Sequence, residues 1–477
     1  MNILLVNPPS PYHLSNIYGK KSSWLDIGSY HPLGLMYLAG YLLEHSNHDV
    51  EILDMEAKKT GVQGLRETIK TLKPDVIGVH ANTFLLDRVY EVVREARASA
   101  KDAHITLGGP HTEVFPGESL SLPEVDSIVI GEGEETLLEL LDSLEKRRNL
   151  SSVRGLGYKK GGTPQINNVR PLIEDLDKLS FPARQLVSPG DYSSLIGKKK
   201  ASTSIMSSRG CPFRCNFCYV LYGGRYRRRS VKNVIDEIKA CVAMGIHEFM
   251  FFDETFGLER AWVVDFCGQV IKNRLDIVFD VRTRINILDE EMLFRLKKVG
   301  CIRIKVGVES GTQEILNRMN KQLSLGEITR SFKLIKKSGI SSYASFMIGY
   351  PGETMEQISE TFSYIMKLEP DYAQVMVTKL APATKLYRDA LDKGVLTRDY
   401  WREFALNPVL GVNPPLATDR FKEEELDHII SRFYRKFYFR PKTMFGRMLK
   451  VESPRELKNL FKAGYGFFIH TFFDRDA

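Results

Sequence analysis

Three cysteines lie close together near the middle of the chain, where Cys211, Cys215 and Cys218 form a C-x3-C-x2-C pattern. The pattern lies shortly after residues 203–206, which are predicted to form the first strand of a second domain. Three thiolates on one short loop can bind three irons of a 4Fe-4S cluster and leave the fourth iron open to a ligand other than protein. A three-cysteine zinc site completed by a distant histidine is the alternative interpretation.

The first 145 residues alternate predicted strands with predicted helices. The strands are short, apolar and rich in Val or Ile, as buried parallel strands are. They lie at residues 3–6, 50–53, 76–79, 105–107 and 127–130. The helices, which carry apolar residues at three- and four-residue spacing, lie at 33–43, 65–72, 89–98 and 135–144. This alternation predicts an α/β fold with a doubly wound parallel sheet, in which ligands bind at the carboxyl ends of the strands.

The loops expected at that edge of the sheet are rich in Gly and Pro, where a large ligand could approach the backbone. Ordinary turn composition is the alternative explanation for any single loop. The candidate binding residues are Asn7, Pro8, Pro9, Asn82, Thr83, Gly108, Gly109, His111, Gly131, Glu132 and Gly133. The sequence has no G-x-G-x-x-G after the first strand and no G-x-x-x-x-G-K-[ST], which argues against a dinucleotide or nucleoside-triphosphate domain.

A second alternating series follows the cysteine pattern. Its predicted strands lie at 203–206, 249–252, 278–281, 302–308, 343–348 and 372–377. Its predicted helices lie at 231–244, 261–273, 290–299, 327–338 and 355–368. Six β/α units predict a partial barrel with its chemistry at the C-terminal ends of the strands. We therefore expect a sheet domain at 1–145, a linker or wrapping segment at 146–200, the partial barrel at 201–400 and a helical C-terminal region at 401–477.

The cysteine loop, with the aromatic Phe217 before its third cysteine, resembles the motif of the radical S-adenosylmethionine (radical SAM) superfamily. The resemblance implies that S-adenosylmethionine chelates the open iron and that one electron from the cluster cleaves it to a 5'-deoxyadenosyl radical. It also implies that polar residues at the ends of the later strands contact the amine, carboxylate, ribose or adenine of S-adenosylmethionine. These candidates are Asp253, Glu254, Arg282, Arg284, Glu309, Ser310 and Gly349, and Phe217 in the cysteine loop is a further candidate for binding S-adenosylmethionine. Solvated or salt-bridged groups are the alternative for each charged residue taken singly.

The N-terminal half resembles the cobalamin-binding domain that precedes the barrel in one large radical SAM class. The matching segments are residues 7–9, 31–35, 108–112 and 131–134. The D-x-H-x-x-G motif that supplies an axial histidine in other cobalamin proteins is absent from residues 1–150. The resemblance therefore implies base-off cobalamin without a protein histidine ligand. We expect His80 to be structural and leave the role of His111 open.

The combined resemblance implies an enzyme that methylates an unactivated carbon by way of the adenosyl radical and methylcobalamin. One alternative is a radical cyclase of the magnesium-protoporphyrin ester cyclase type, which transfers no methyl group. Another is a non-enzymatic binding protein that retains the fold. The implied partners are an organic substrate, which can be a lipid or another hydrophobic compound, and an electron donor such as flavodoxin or ferredoxin.

Composition and charge exclude several other classes of protein. Hydrophobic residues make up 43% and charged residues 26% of the chain, which is typical of a soluble globular protein. The apolar runs are too short for a membrane span, and the first residues lack the basic region of a signal peptide, so we expect a cytoplasmic protein. The net charge of +8 is concentrated near the C-terminus rather than spread over the chain, so we expect no nucleic-acid partner. Residues 433–440 and 465–469 are rich in aromatic side chains, with cations among the first group. They predict a helix packed on the barrel, and the alternatives are a peripheral membrane face that admits a lipid substrate and a nucleic-acid surface.

Overall fold

The computed structural model describes residues 1–10, 30–192, 201–408 and 412–440. The described residues divide into two compact units. The first contains the residues up to 191 together with 388–408 and 412–413, and the second contains 192, 201–387 and 414–440. These units differ from the boundaries predicted at 145 and 400, because the segments after both positions pack with the first unit.

Strands and helices alternate through residues 1–166. The strands are β1 (Asn2–Asn7), β2 (Asp49–Asp54), β3 (Val76–His80), β4 (His104–Gly108), β5 (Ser127–Val129), β6 (Leu156–Lys160) and β7 (Thr163–Ile166). The helices are α1 (Leu33–His45), α2 (Val62–Leu72), α3 (Leu86–Ser99), α4 (Pro110–Val114), α5 (Pro116–Ser121) and α6 (Glu134–Glu145). The sheet order is β2-β1-β3-β4-β5-β6-β7. The first five strands pair in parallel, as predicted, and the residues of β1 from Ile3 to Val6 are at most 1% exposed.

The segment after residue 145 is not only a linker. Its strands β6 and β7 extend the sheet in the antiparallel direction. Every residue of β7 is exposed, so the strand lacks the apolar pattern by which buried strands are predicted. Farther along, the backbone N–H of Ala183 donates to Met36 O at 2.9 Å, so this part of the segment wraps onto α1.

Residues 388–408 also belong to the first unit. Tyr90 on α3 donates its hydroxyl hydrogen to Ala405 O at 2.7 Å. Trp401 is fully buried and packs edge-on against Phe84, with 5.1 Å between the ring centroids. The aromatic anchors therefore attach a segment that follows the barrel in sequence to the first unit.

The second unit contains the predicted partial barrel. Its strands are β8 (Ser202–Ile205), β9 (Ser208–Arg209), β10 (Arg227–Arg228), β11 (Glu248–Phe251), β12 (Val278–Thr283), β13 (Cys301–Glu309), β14 (Ser341–Ile348) and β15 (Tyr372–Val377). Its helices are α7 (Val231–Ala243), α8 (Arg260–Lys272), α9 (Glu290–Lys298), α10 (Gln313–Arg318), α11 (Leu325–Ser338) and α12 (Met355–Leu368). Helix α13 (Lys385–Asp392) includes the boundary after residue 387, and α14 (Tyr400–Leu406) belongs to the first unit. The last helix of the second unit is α15 (Glu423–Tyr438). Six parallel strands pair in the order β15-β14-β13-β12-β11-β8, which confirms the predicted α/β architecture.

Helix α15 covers the edge strand of this sheet. Its aromatic side chains Phe433, Tyr434, Phe437 and Tyr438 are buried. The hydroxyl of Tyr434 accepts from the N–H of Val375 at 2.8 Å, and that of Tyr438 lies 2.6 Å from Ala373 O, to which it donates. The two tyrosines thus satisfy backbone groups that an edge strand otherwise exposes.

This packing bears on the predictions for residues 433–440. Because the aromatic face of α15 is buried against β15, the predicted packing of a helix on the barrel is confirmed, and these aromatic side chains are not available to a membrane. Residues 465–469 lie outside the described residues. No helix in the described part of the chain is long and apolar enough to cross a membrane.

Candidate active site

The three clustered cysteines lie on the loop that follows β9. Cys211 and Cys215 are half-buried, and Cys218 is exposed as a residue. Desolvation by surrounding protein, followed by the charges of Cys215 and Cys211, raises the pKa of the Cys218 thiol to about 12. The three sulfurs are therefore near enough to repel one another as thiolates. Bound iron reverses this effect, because a coordinating cation favours the thiolate.

The spacing of the sulfur atoms argues against a single metal ion. Two sulfur ligands of one zinc ion, each about 2.3 Å from it, lie at most about 4.6 Å apart. Among the described residues, only one group brings three ligand atoms within 4.8 Å of one another, and it contains no cysteine. The cysteines therefore fit a group that presents a separate metal to each sulfur, as an iron–sulfur cluster does.

Two asparagines fix the middle of the cysteine loop to the end of α10. Asn216 donates from its backbone N–H to Met319 O at 3.0 Å and from its side-chain amide to Arg318 O at 2.8 Å. Asn320 donates from its amide to Arg214 O at 2.7 Å. Since the last carbonyls of a helix have no partner within the helix, these bonds satisfy both the helix end and the loop.

The two arginines predicted to bind S-adenosylmethionine have different surroundings. Arg284 is buried, stacks 3.9 Å from the centroid of the Phe213 ring, and donates to the carbonyls of Lys321 and Gln322. Its guanidinium is thus occupied in bracing the cysteine loop. Arg282 is exposed and lies 5.2 Å from the ring centroid of Phe252. Of these two arginines, Arg282 is therefore the one that is exposed at the surface of the barrel.

The neighbouring carboxylates at the end of β11 also differ. Asp253 is fully buried and accepts from the N–H of Ser207 at 2.7 Å and the hydroxyl of Ser208 at 3.0 Å. Burial raises the pKa of Asp253 to about 6. Glu254 is exposed and accepts from the N–H of Gly210 at 3.2 Å, immediately before the cysteine loop. The charges of Glu254 and Arg282 are close enough to interact, so these two side chains share one part of the rim.

A buried ion pair lies beside the cysteine loop. Lys321 donates to Glu309 at 2.8 Å, and both residues are less than a tenth exposed. Lys321 also lies 5.8 Å from the ring centroid of Phe217, and the charges of the pair act in opposite directions on the pKa of Cys218. Glu309 has a φ of +74°, a left-handed conformation that is rare outside glycine. Strained backbone of this kind is concentrated at functional sites.

Space for this ion pair depends on Gly307. A Cβ atom at Gly307 would overlap the carboxylate of Glu309 and lie 3.1 Å from Lys321 Nζ. Lys321 was missed by sequence reasoning because it belongs to no motif and follows a short helix. Its position next to the cysteines arises only when the chain folds.

The last two predicted S-adenosylmethionine residues lie inside the packing of the second unit. Ser310 is fully buried, with its Oγ atom 3.2 Å from Thr312 Oγ1 and 3.3 Å from Thr361 Oγ1. Gly349 has a φ of +75° and donates from its N–H to Glu353 at 2.7 Å. These positions make the side chain of Ser310 and the backbone of Gly349 parts of the strand ends rather than exposed polar groups.

Glu353 is a second residue that sequence reasoning missed. It is fully buried, and its Oε2 atom accepts from the N–H groups of Gly349 and Tyr350. Its Oε1 atom has no hydrogen-bond partner among the described residues, and burial raises the pKa of Glu353 to about 7. This carboxylate fixes the turn after β14.

In the first unit, several predicted cobalamin-binding residues use their side chains within the protein. Asn7 donates to Asp54 at 3.0 Å, and Asn82 accepts from the N–H of Phe84 at 3.0 Å. Pro8 is buried and Pro9 half-buried. These side chains shape the loops at the sheet edge.

The pair formed by His111 and Thr83 is buried beneath this edge. The Nδ1 atom of His111 lies 3.1 Å from Thr83 Oγ1, and His111 is fully buried. Burial lowers the pKa of His111 to about 4, so the ring is neutral at neutral pH. Its Nε2 atom has no partner among the described residues. His80, expected to be structural, lies at the end of β3, and burial lowers its pKa as well.

The glycines of the edge give a ligand access to the backbone. Gly109, which follows Gly108 at the end of β4, has a φ of +124°, and a Cβ atom there would lie 2.7 Å from Ala81 O. Gly131 has a φ of +82°, is exposed, and faces open space where a Cβ atom would stand. A flat ligand can approach such a position closely, so the edge fits a corrin ring.

The residues next to Gly131 fix its loop. Glu132 is buried and accepts from the N–H of Ile173 at 2.7 Å. At Gly133, which precedes α6, a Cβ atom would lie 3.0 Å from Leu38 Cδ2. Gly131 is therefore held between two packed positions.

Comparisons with known proteins agree with this geometry. Residues 205–365 match the family model of the Radical SAM superfamily, and residues 28–141 match that of the B12 binding domain. The chain is 32% identical over 448 residues to an uncharacterized methyltransferase of Pyrococcus horikoshii, and the match covers 93% of this chain and 94% of that relative. The chain belongs to the radical SAM superfamily. It is thus an enzyme that combines a radical SAM domain with a B12-binding domain, as the sequence predicted.

Two further comparisons extend the picture of this radical SAM enzyme. It is 30% identical over 454 residues to the anaerobic magnesium-protoporphyrin IX monomethyl ester cyclase of Rubrivivax gelatinosus, with 92% of this chain and 80% of the cyclase covered. Its fold matches a solved structure of the cobalamin-dependent S-adenosylmethionine radical enzyme OxsB, with aqua-cobalamin and S-adenosylmethionine bound. The TM-score is 0.71 at 20% identity, and the match covers 99% of this chain and 72% of OxsB.

Proposed function

We propose that the enzyme transfers a methyl group from S-adenosylmethionine, by way of cobalamin, to an unactivated carbon of an organic substrate. The observation that carries this proposal is the presence of a B12 binding domain and a radical SAM domain on one chain. The methyltransferase of Pyrococcus horikoshii, which this chain matches over nearly its whole length, supports methyl transfer as the outcome.

The cysteine loop provides the ligands for the iron–sulfur cluster in this proposal. Cys211, Cys215 and Cys218 would each bind one iron and leave the fourth iron for S-adenosylmethionine. When bound, the cluster, S-adenosylmethionine and cobalamin supply hydrogen abstraction and methyl transfer, while the protein binds and orients them. The hydrogen bonds of Asn216 and Asn320 hold the loop in place for this purpose.

Glu254 and Arg282 are the side chains best placed to orient S-adenosylmethionine. Its methionyl group carries an ammonium and a carboxylate, which a carboxylate and a guanidinium recognise by charge-assisted hydrogen bonds. Glu254 and Arg282 are exposed on the same part of the rim, whereas Asp253 and Arg284 are committed to protein partners. We therefore assign direct contact to the first pair and positioning roles to the second.

The loops after β4 and β5 are the proposed contact surface for cobalamin. Gly109 and Gly131 permit close approach of the backbone, and Asn7 and Asn82 stabilise the adjoining loops. His111 is fully buried and bonded to Thr83, so it is poorly placed to reach cobalt. We accordingly propose base-off cobalamin without a protein imidazole on the metal.

The reaction also requires a substrate and a source of electrons. Reduction of the cluster calls for a low-potential donor, and a flavodoxin or ferredoxin is the proposed partner. The substrate is an organic molecule with an unactivated C–H bond, and a hydrophobic compound or lipid belongs to this class. The aromatic side chains of α15 pack inward, so they do not enter the proposal as a membrane contact.

A radical cyclase is the second candidate. It is favoured by the 30% identity to the magnesium-protoporphyrin IX monomethyl ester cyclase, over 80% of that relative's length. The two candidates share cofactors but differ in what becomes of S-adenosylmethionine. Methyl transfer consumes one S-adenosylmethionine as the methyl donor and another as the radical source. Cyclisation consumes S-adenosylmethionine only as the radical source.

The test is anaerobic reconstitution with cluster, cobalamin and reductant, followed by incubation with a cell extract and quantification of both coproducts. Methyl transfer should give S-adenosylhomocysteine and 5'-deoxyadenosine in equal amounts. The matched control is the triple variant C211A/C215A/C218A, which should form no 5'-deoxyadenosine. Formation of 5'-deoxyadenosine without matching S-adenosylhomocysteine would reject methyl transfer and support the cyclase.

A further inference from the structure

A second group of metal-ligating side chains lies in the first unit, away from the glycine loops. His48 directly precedes β2, while Asp142 and Glu145 lie three residues apart near the end of α6. One ligand atom of each residue lies within 4.8 Å of the other two. Because β2 starts next to His48, the group lies at the amino edge of the parallel sheet, opposite the edge where Gly109 and Gly131 lie.

The histidine of this group has a ring nitrogen available for a ligand. His48 is only 6% exposed, and its Nε2 atom has no hydrogen-bond partner among the described residues. Its Nδ1 atom lies 3.3 Å from the Met1 nitrogen. In the tautomer that carries the ring hydrogen on Nδ1, Nε2 has the lone pair that a metal ion needs. A buried polar atom without a partner costs free energy, and such atoms in native proteins commonly indicate a role or an unobserved ligand.

The two carboxylates supply negative charge on the same side of the helix. Glu145 is exposed and has no ion-pair or hydrogen-bond partner among the described residues, and Asp142 pairs with Lys146 at 2.8 Å. Both members of that pair are 45% exposed, so the interaction is worth at most about 1 kcal/mol and a divalent ion can displace the lysine. The helix dipole places further negative potential at the end of α6, and the three basic residues 146–148 follow the helix directly.

We propose that His48, Asp142 and Glu145 bind one divalent transition-metal ion, with Mn²⁺, Fe²⁺ and Zn²⁺ as the matching class. One imidazole and two carboxylates form a nitrogen and oxygen ligand set that suits these ions. Ligand atoms about 2.0–2.2 Å from a shared ion lie at most about 4.4 Å apart, so small rotations of the exposed Glu145 side chain bring the three atoms into range.

The ion would join the start of β2 to the end of α6. It would therefore stabilise the first unit without taking part in the reaction. This site shares no residue with the cysteine loop or the glycine loops. The result of the metal-binding test therefore has no bearing on the proposed methyl transfer.

The probe for this site is Mn²⁺ itself, added to the reconstituted full-length enzyme. Loss of the six-line resonance signal of free Mn²⁺ at room temperature measures binding, and thiolates compete poorly for this oxygen-preferring ion. The wild type should bind one Mn²⁺ per chain. The affinity of E145Q for this ion should be lower by at least about tenfold. Since Glu145 is exposed and unpartnered, its replacement leaves folding intact. H48A should lose the site as well.

The matched control is H428A/E424Q, which removes an exposed histidine and a carboxylate from α15 in the second unit. This control should bind Mn²⁺ as tightly as the wild type. In the wild type, Mn²⁺ should raise the thermal unfolding midpoint, and in E145Q it should not. Failure of the wild type to bind Mn²⁺, or equal binding by the wild type and E145Q, would overturn the proposal.

Discussion

The Nζ atom of Lys321 donates a hydrogen bond of 2.8 Å to Glu309 Oε1, and both side chains are buried beside the cysteine loop. Glu309 ends β13 in a left-handed conformation, and Lys321 lies close to the ring of Phe217. A strained residue is thus paired with a cation that reaches the centre of the site. The pair links the end of a barrel strand to the loop that carries the cysteines.

Replacing Lys321 by Met should destabilise the second unit strongly. The substitution leaves the Glu309 carboxylate buried without its partner, and breaking a buried pair in this way costs about 3–5 kcal/mol. Urea unfolding followed by circular dichroism measures the loss. The double variant K321M/E309Q should recover a large part of it, because no unpaired charge remains.

The matched control for this pair is K336M. Lys336 forms an ion pair of similar length with Glu369 at 2.7 Å, but its side chain is 70% exposed. Its loss should cost no more than about 1 kcal/mol. Equal effects of K321M and K336M would mean that burial does not govern the pair.

The pKa of Glu353 predicts a pH-dependent difference in stability. The native pKa of about 7 lies above the ordinary value of 4.5, so the folded protein binds this proton more tightly than the unfolded chain does. The stabilisation that this bound proton contributes is therefore fully present below about pH 4.5 and is lost as the pH rises to about 7. The loss is on the order of 3 kcal/mol relative to E353Q, which stays neutral throughout.

Urea unfolding measures the free energy of unfolding of the wild type and E353Q at pH 5 and pH 8 to within about 1 kcal/mol, which is enough to check this sign. The wild type should lose stability relative to E353Q between the two values. A difference that stays constant, or that favours the wild type at the higher pH, would contradict a raised pKa for Glu353.

Substitution of Gly131 by Ala should weaken cobalamin binding more than it weakens the fold. Gly131 has positive φ and faces open space, so an added Cβ atom both strains the backbone, by about 1 kcal/mol, and occupies the ligand's approach. Equilibrium titration of the apoprotein with cobalamin measures the affinity. Gly161, in the turn between β6 and β7, also has positive φ and open space, and G161A is the control for strain alone. If both variants bind cobalamin equally well, the loop after β5 is not the contact surface.

Arg284 should govern how firmly the cysteine loop is held. R284K keeps the positive charge but loses the planar group that stacks on Phe213 and reaches two carbonyls. The reconstituted variant should release iron to a chelator several-fold faster than the wild type. The control R260K alters an arginine whose partners Asp289 and Glu291 lie at the surface. If R284K and R260K release iron at the same rate, Arg284 does not brace the cysteine loop.

Much of the fold can be predicted from the sequence because its central strands are buried on both faces. Segments such as β1 then appear as continuous apolar runs. Strand β7 could not be found in this way, since its four residues are exposed. The aromatic and basic residues of α15 have several reasonable interpretations in sequence, and only the contacts with Ala373 and Val375 show that the helix packs on the sheet.

In the candidate site too, some features can be predicted from the sequence and others depend on the fold. The cysteine pattern is local, and a local spacing is visible in any sequence. The roles of Lys321, Glu353 and Arg284 depend on contacts between distant segments, such as the bonds from Arg284 to the carbonyls of residues 321 and 322. Asp253 and Glu254 are adjacent in sequence, yet only the fold shows that one is buried and the other exposed.

Methyl transfer is tested most directly by supplying S-adenosylmethionine with a trideuterated methyl group to the reconstituted enzyme and a cell extract. Mass spectrometry of the products is the measurement. We predict a product that carries the intact trideuterated methyl group on carbon, that requires added cobalamin, and that is absent with C211A/C215A/C218A. A product that depends equally on the three cysteines but contains no deuterated methyl group would contradict methyl transfer.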